Sequence, residues 1–200
     1  DQPSSEIPSP IYVLKGVLAK LQDDDSSSKY NFRMAIKATE ATPEILCLNG
    51  DFSYYADFLE IAIKSYDRSI EISPLNSKAF YGRGLTYSKA GDVTGAIDSL
   101  LRATVLNPES DKGHIALGNE YRAANMTDAA LICYRTALKI DPKNSAALSG
   151  RDQTLALVLP HWHASMLNDE ERNNAFDDAI SAAVKPGSLV LDIGTGTGLL

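Results

Sequence analysis

Residues 77–110 read SKAFYGRGLTYSKAGDVTGAIDSLLRATVLNPES, and residues 111–144 read DKGHIALGNEYRAANMTDAALICYRTALKIDPKN. Laid one above the other they align Gly84 with Gly118, Ala96 with Ala130, Leu100 with Tyr134, Ala103 with Ala137 and Pro108 with Pro142. The same 34-residue step taken backwards meets Gly50, Ala62, Tyr66, Ser69 and Pro74. A fixed period of this length means stacked supersecondary units, each burying its apolar face against the next. Small residues in the Gly and Ala columns let two helices approach closely. Between them the turn carries Asp57, Gly91 or Asn125, types that accept turn backbone. The column proline then ends the second helix. Three antiparallel helix pairs are therefore predicted over 43–76, 77–110 and 111–144. The first is the least regular, with Ser53 where the others have Tyr87 and Tyr121.

In period and column residues these units resemble the tetratricopeptide repeat (TPR). That resemblance implies a superhelix whose first (A) helices line a concave, partner-binding face. The candidate positions there are Lys78, Tyr81, Leu85, Lys112, Ile115, Asn119 and Arg122. A clamp for the two carboxylates of a chaperone tail wants Lys and Asn at set A-helix positions. Cys47, Tyr81 and Ile115 occupy the lysine column and only Asn119 fits, so a protein substrate or partner is expected without that clamp.

Around the repeats, residues 1–10 (DQPSSEIPSP) read as a flexible lead-in. Residues 11–42 read as a helical cap or a degenerate repeat. Ile11, Val13, Leu14, Val17, Leu18 and Leu21 are expected on one inward side of its first helix. Residues 145–160 read as a capping or connecting helix that ends at Pro160.

The formal net charge is −7, which argues against a nucleic-acid partner, since that needs clustered Lys and Arg. No run approaches the ~18 apolar residues of a membrane span, so no membrane partner is expected. Cys47 and Cys133 fall in predicted helices and read as buried thiols of a reducing compartment, cytoplasmic or nuclear. The chain lacks an initiator Met and stops just after a glycine-rich loop, so both ends read as cut.

From residue 161 the pattern changes. HWHASMLNDEERNNAFDDAI leads into an amphipathic helix, with Asn168 and Glu171 spaced as an N-cap and its N3 carboxylate. Ala175, Phe176, Ala179, Ile180, Ala183 and Val184 share one face of that helix. Then Ser188–Ile193 reads as a short parallel strand running into Gly194-Thr195-Gly196-Thr197-Gly198. A strand, an acid and a glycine-rich turn place a ligand at the strand's carboxyl end.

VLDIGTGTGLL resembles the first motif of class I S-adenosylmethionine (AdoMet) methyltransferases, and Met166, Leu167, Asp169 and Arg172 resemble the helical entry of the protein arginine N-methyltransferase family. The implied fold is mostly α: a TPR superhelix, then over 161–200 the first helix and strand of a Rossmann-like α/β domain. The implied reaction is methyl transfer from AdoMet to an arginine guanidino nitrogen of a protein. By resemblance Arg172 pairs with the methionyl carboxylate of AdoMet and His163 approaches it. Met166 packs at the transfer centre, and Asp169 positions the site from behind. Asp192, Gly194 and Gly196 floor the pocket. The family's ribose-holding acid, paired glutamates and Thr-His-Trp loop have no counterpart in these residues, so catalytic groups are expected to lie outside them. The competing expectation is a non-catalytic interaction module.

Overall fold

A computed structural model describes residues 7–158 and 170–184. Packing divides the chain into two units, 1–154 and 155–200. The first is a series of antiparallel helix pairs: α1 (Ser9–Leu21) with α2 (Asp25–Lys37), α3 (Pro43–Tyr55) with α4 (Leu59–Ile72), α5 (Ser77–Lys89) with α6 (Val93–Leu106), and α7 (Asp111–Ala123) with α8 (Thr127–Ile140). α9 (Ser145–Val158) follows, and α10 (Glu170–Ala183) belongs to the second unit. No strand occurs among the described residues.

Local chemistry fixes where each pair begins and turns. Thr42, Asn76 and Ser110 cap α3, α5 and α7 by accepting an N–H three residues on. Asn144 accepts from the N–H groups of Ala146 and Ala147 at the start of α9. These four caps are spaced by 34. The turns use the left-handed backbone region, with φ of 57° at Asp23, 65° at Asp57, 80° at Gly91 and 58° at Asn125. Short polar side chains and glycine accept that region at least cost.

Asp23 lies one period before Asp57, and this settles the nature of residues 9–37. Gly16 and Phe32 likewise stand one period before Gly50 and Tyr66. Phe32 is buried against Val17, Phe52, Phe58 and Ile61. It fills the place of the B-helix tyrosine, so α1 and α2 form a repeat in register with the others. The expected inward face of α1 needs correction. Val13 is buried together with Ser9, Gly16 and Ala19, whereas Ile11, Leu14, Leu18 and Leu21 are exposed, Leu14 at 61% and Leu21 at 76%. Small residues serve the helix crossing here, as in the later repeats. Ser9 Oγ donates to Ala35 O and Ser28 Oγ to Gly16 O across the pair.

At the three junctions that follow α4, α6 and α8 a B-helix side chain lies between two A helices. A Cβ added to Gly50 would fall 2.6 Å from the Tyr66 ring, and one added to Gly82, on the next A helix, 2.4 Å from it. Tyr134 repeats this with Gly118 at 2.9 Å and Gly150 at 2.4 Å. Leu100 is the shorter wedge, and its next-helix neighbour is Ala116 instead of glycine. Since Gly150 receives Tyr134, α9 is an A-type helix stacked in register, with Ala147 and Thr154 fully buried.

Both cysteines are buried and free. Burial pushes the Cys133 thiol up to about 11 from an ordinary 9.0. Burial also raises Cys47, against the opposing hydrogen bonds of Ser69 and Asn76. Folding therefore favours the protonated thiols. The contribution of Cys133 to stability is complete below pH 9.0 and disappears as pH rises through about 11. At pH 8 we expect iodoacetamide to modify neither thiol in the native chain within the time that labels both in 6 M guanidinium. Rapid native labelling at Cys133 would contradict its placement.

Candidate functional site

Neighbouring A helices touch along the array, α1 with α3, α3 with α5 and α5 with α7; among the B helices α2 meets α4, whereas α4, α6 and α8 hardly meet one another. From α3 onward the A helices therefore line the inner side of the curve. Their exposed faces carry the sequence-predicted positions, and the structure sorts these by how each is held.

Lys78 is committed to a partner. Tyr66 Oη donates to Asp51 Oδ1 at 2.7 Å, and Asp51 Oδ2 receives Lys78 Nζ at 3.3 Å. Burial and the Asp51 carboxylate keep the Tyr66 phenol far above its usual range, so it stays a donor. Asn119 is exposed, and its Oδ1 accepts from Tyr134 Oη at 2.7 Å. Tyr81, Leu85 and Ile115 are half-buried, and Tyr81 and Leu85 pack on the core around Leu100 and Ala116. Burial, then Tyr54, raises the Tyr81 phenol. Cys47 is inside the fold, its Sγ 3.3 Å from Ser69 Oγ, and presents nothing to the groove. Lys112 is exposed on the first turn of α7, and Arg122 is half-buried on its last.

Sequence reasoning missed an aromatic corner beside this strip. Tyr54 and Tyr55 meet edge to face, 5.4 Å between centroids, and Tyr55 is 80% exposed. Lys89 Nζ sits 4.8 Å above the Tyr54 ring, bonds Tyr54 O at 3.2 Å and pairs with Asp57 at 2.9 Å. Periodicity could have found the first residue, because Tyr54, Ser88 and Arg122 share one column. Together the face offers aromatic and aliphatic contact bounded by fixed donors, a surface for an extended peptide.

The cofactor candidates are separate. His163, Met166, Asp169, Asp192, Gly194 and Gly196 lie outside the described residues, as does the Ser188–Ile193 strand. Arg172 lies on α10, its side chain outside the description. Among the described residues no three His, Cys, Asp or Glu side chains gather as a metal site, and no helix is long and apolar enough to cross a membrane.

A tetratricopeptide-repeat family model matches residues 111–144. The solved TPR protein YrrB, described as having an unusual peptide-binding site, superposes with a TM-score of 0.61 at 17% identity, covering 74% of this chain and 76% of that one. Residues 9–154 form a TPR-like superhelix. Protein arginine N-methyltransferase 9 of Mus musculus is 32% identical over 114 residues, 56% of this chain and 13% of the relative. An arginine N(omega)-methyltransferase of Streptomyces achromogenes is 37% identical over 86 residues, 42% of this chain and 22% of the relative. The chain thus spans a small part of the curated relatives it matches. Both matched stretches are more than twice as long as residues 160–200, so most of each lies in the helical array.

Proposed function

We propose that this array recruits protein substrates for an AdoMet-dependent protein arginine methyltransferase, with residues 161–200 supplying part of the AdoMet site. What carries the reading is the coincidence of two features in one chain. A TPR array similar to the mouse methyltransferase precedes the residues Met166, Leu167, Asp169 and Arg172 and the glycine-rich turn. AdoMet would supply the methyl group. Arg172 would hold its carboxylate with the planar fork that a guanidinium offers. His163 would approach the same group, Met166 would pack at the transfer centre, and Asp169 would brace the entry helix. Asp192, Gly194 and Gly196 would let the backbone come close to the cofactor. The array would raise the local concentration of a tethered arginine.

The test is methyl transfer from labelled AdoMet to arginine by a longer protein that continues past Leu200. The 200-residue chain alone is expected to transfer none. In the longer protein Arg172→Ala should weaken AdoMet binding by about 1.5–3 kcal/mol, the range for a hydrogen bond to a charged group. Unchanged affinity by calorimetry removes Arg172 from the site. A second reading is favoured by the fold itself, since the described residues of the first unit are all repeat: a non-catalytic interaction module. Peptide binding without AdoMet binding in the longer protein would establish that reading.

A further inference from the structure

Arg122 stands out among the groove residues because no hydrogen bond or ion pair to its guanidinium occurs among the described residues. Its Nε is shut off from solvent with no acceptor in reach, and no ion pair forms to it among the described residues. The other basic groups nearby differ. Lys78 pairs with Asp51, Lys89 with Asp57, and Arg83 with Asp67 and Asp98. The closest acid in sequence, Glu120, forms no ion pair with Arg122. Glu120 is 8% exposed, and its Oε1 accepts from Ser88 Oγ at 2.6 Å. Lys112, on the same helix, also forms no ion pair among the described residues. So the inner face of α7 carries two cations without an ion-pair partner among those residues, in a chain whose net charge is −7.

A buried N–H without an acceptor costs free energy, and native proteins leave few of them. An arginine that no hydrogen bond fixes can swing into the groove with little to lose. There its planar fork would meet a carboxylate through two parallel bonds. The adjoining surface selects the kind of carboxylate. A chain terminus needs several donors converging on it, whereas Lys112 stands on the first turn of α7, about 15 Å along the helix from Arg122, and the wall between them is Tyr81, Leu85 and Ile115 with the amide of Asn119. One acidic side chain flanked by apolar residues fits this surface.

We propose that the inner face of α5 and α7 binds an extended peptide segment through an internal Asp or Glu held by Arg122, with apolar neighbours on Tyr81, Leu85 and Ile115. The assignment rests on the peptide-binding reading above and adds the chemistry of the ligand. It is tested with the 200-residue chain and fluorescein-labelled, C-terminally amidated 12-residue peptide pools. Apolar and small residues are randomised around one fixed Glu, one fixed Gln, or a Gln with a free C-terminal carboxylate.

The Glu pool is expected to bind about tenfold tighter than the Gln pool. Arg122→Met should abolish that preference, and Arg122→Lys, which keeps the charge and loses the fork, should leave part of it. Tyr81→Ala should weaken both pools. If both pools bind equally and Tyr81→Ala weakens them, the groove reading stands and the acidic anchor is wrong. Tightest binding by the free-carboxylate pool also overturns the internal anchor. Binding of no pool overturns both readings.

Discussion

Replacing Gly82 by alanine destabilises the array by about 1–3 kcal/mol, although alanine is the better helix former. The new methyl would lie 2.4 Å from the Tyr66 ring. That ring cannot retreat. Gly50 confines its other face, and its hydroxyl is tied to Asp51. The molecule already contains the compensated arrangement one junction later, where Leu100 meets Ala116. Tyr66→Leu combined with Gly82→Ala should therefore be more stable than the sum of the two single effects, with a coupling of at least about 1 kcal/mol. Urea unfolding of the four proteins followed by circular dichroism measures it. Strict additivity would mean that the ring and Gly82 do not share one space.

The second large effect concerns the N-terminal pair. Phe32→Ala should cost about 3–5 kcal/mol, the range for emptying a buried aromatic site. Phe32 is 1% exposed and packs with Phe58, ring centroids 6.3 Å apart, and with Ile61 of the following repeat. Because a solenoid is stabilised by nearest-neighbour contacts, the loss should be local. Hydrogen exchange is expected to show protection falling over residues 9–37 and persisting over 77–140. Uniform loss along the chain would mean that the repeats unfold as one block and that Phe32 is no separate keystone.

How far the sequence could be read depended on which positions carried the information. The three central repeats were legible because their key columns hold glycine, alanine and proline, whose roles are steric and local. The N-terminal repeat was obscured by three exchanges on the same grid: Ser28 for the column alanine, Phe32 for tyrosine and Glu40 for proline. Its inner face was misread for a related reason. Leu14, Leu18 and Leu21 dominate any apolar count, yet the crossing with α2 selects small side chains, so Gly16 and Ala19 face inward.

In the groove, periodicity located Tyr81, Asn119 and Arg122 correctly on A helices. It could not say that Lys78 is spent on Asp51 or that Lys89 lies over Tyr54, because those pairings join successive repeats and depend on how closely the A helices approach. The cofactor candidates from His163 to Gly196 gained no geometry. Their reading remains the motif and its relatives.

The unequal wedges between repeats also have a mechanical meaning. Tyr66 and Tyr134 each span two A helices with a ring and anchor it by a hydroxyl bond, whereas Leu100 has only its methyl groups. Stretched along its axis, the superhelix behaves as a spring whose coils differ in stiffness. Of these three junctions the one held by Leu100, between α6 and α7, is expected to stretch first, and it lies at the wall of the groove that Arg122 borders, so tension on the chain would act as a dial on what the groove can hold.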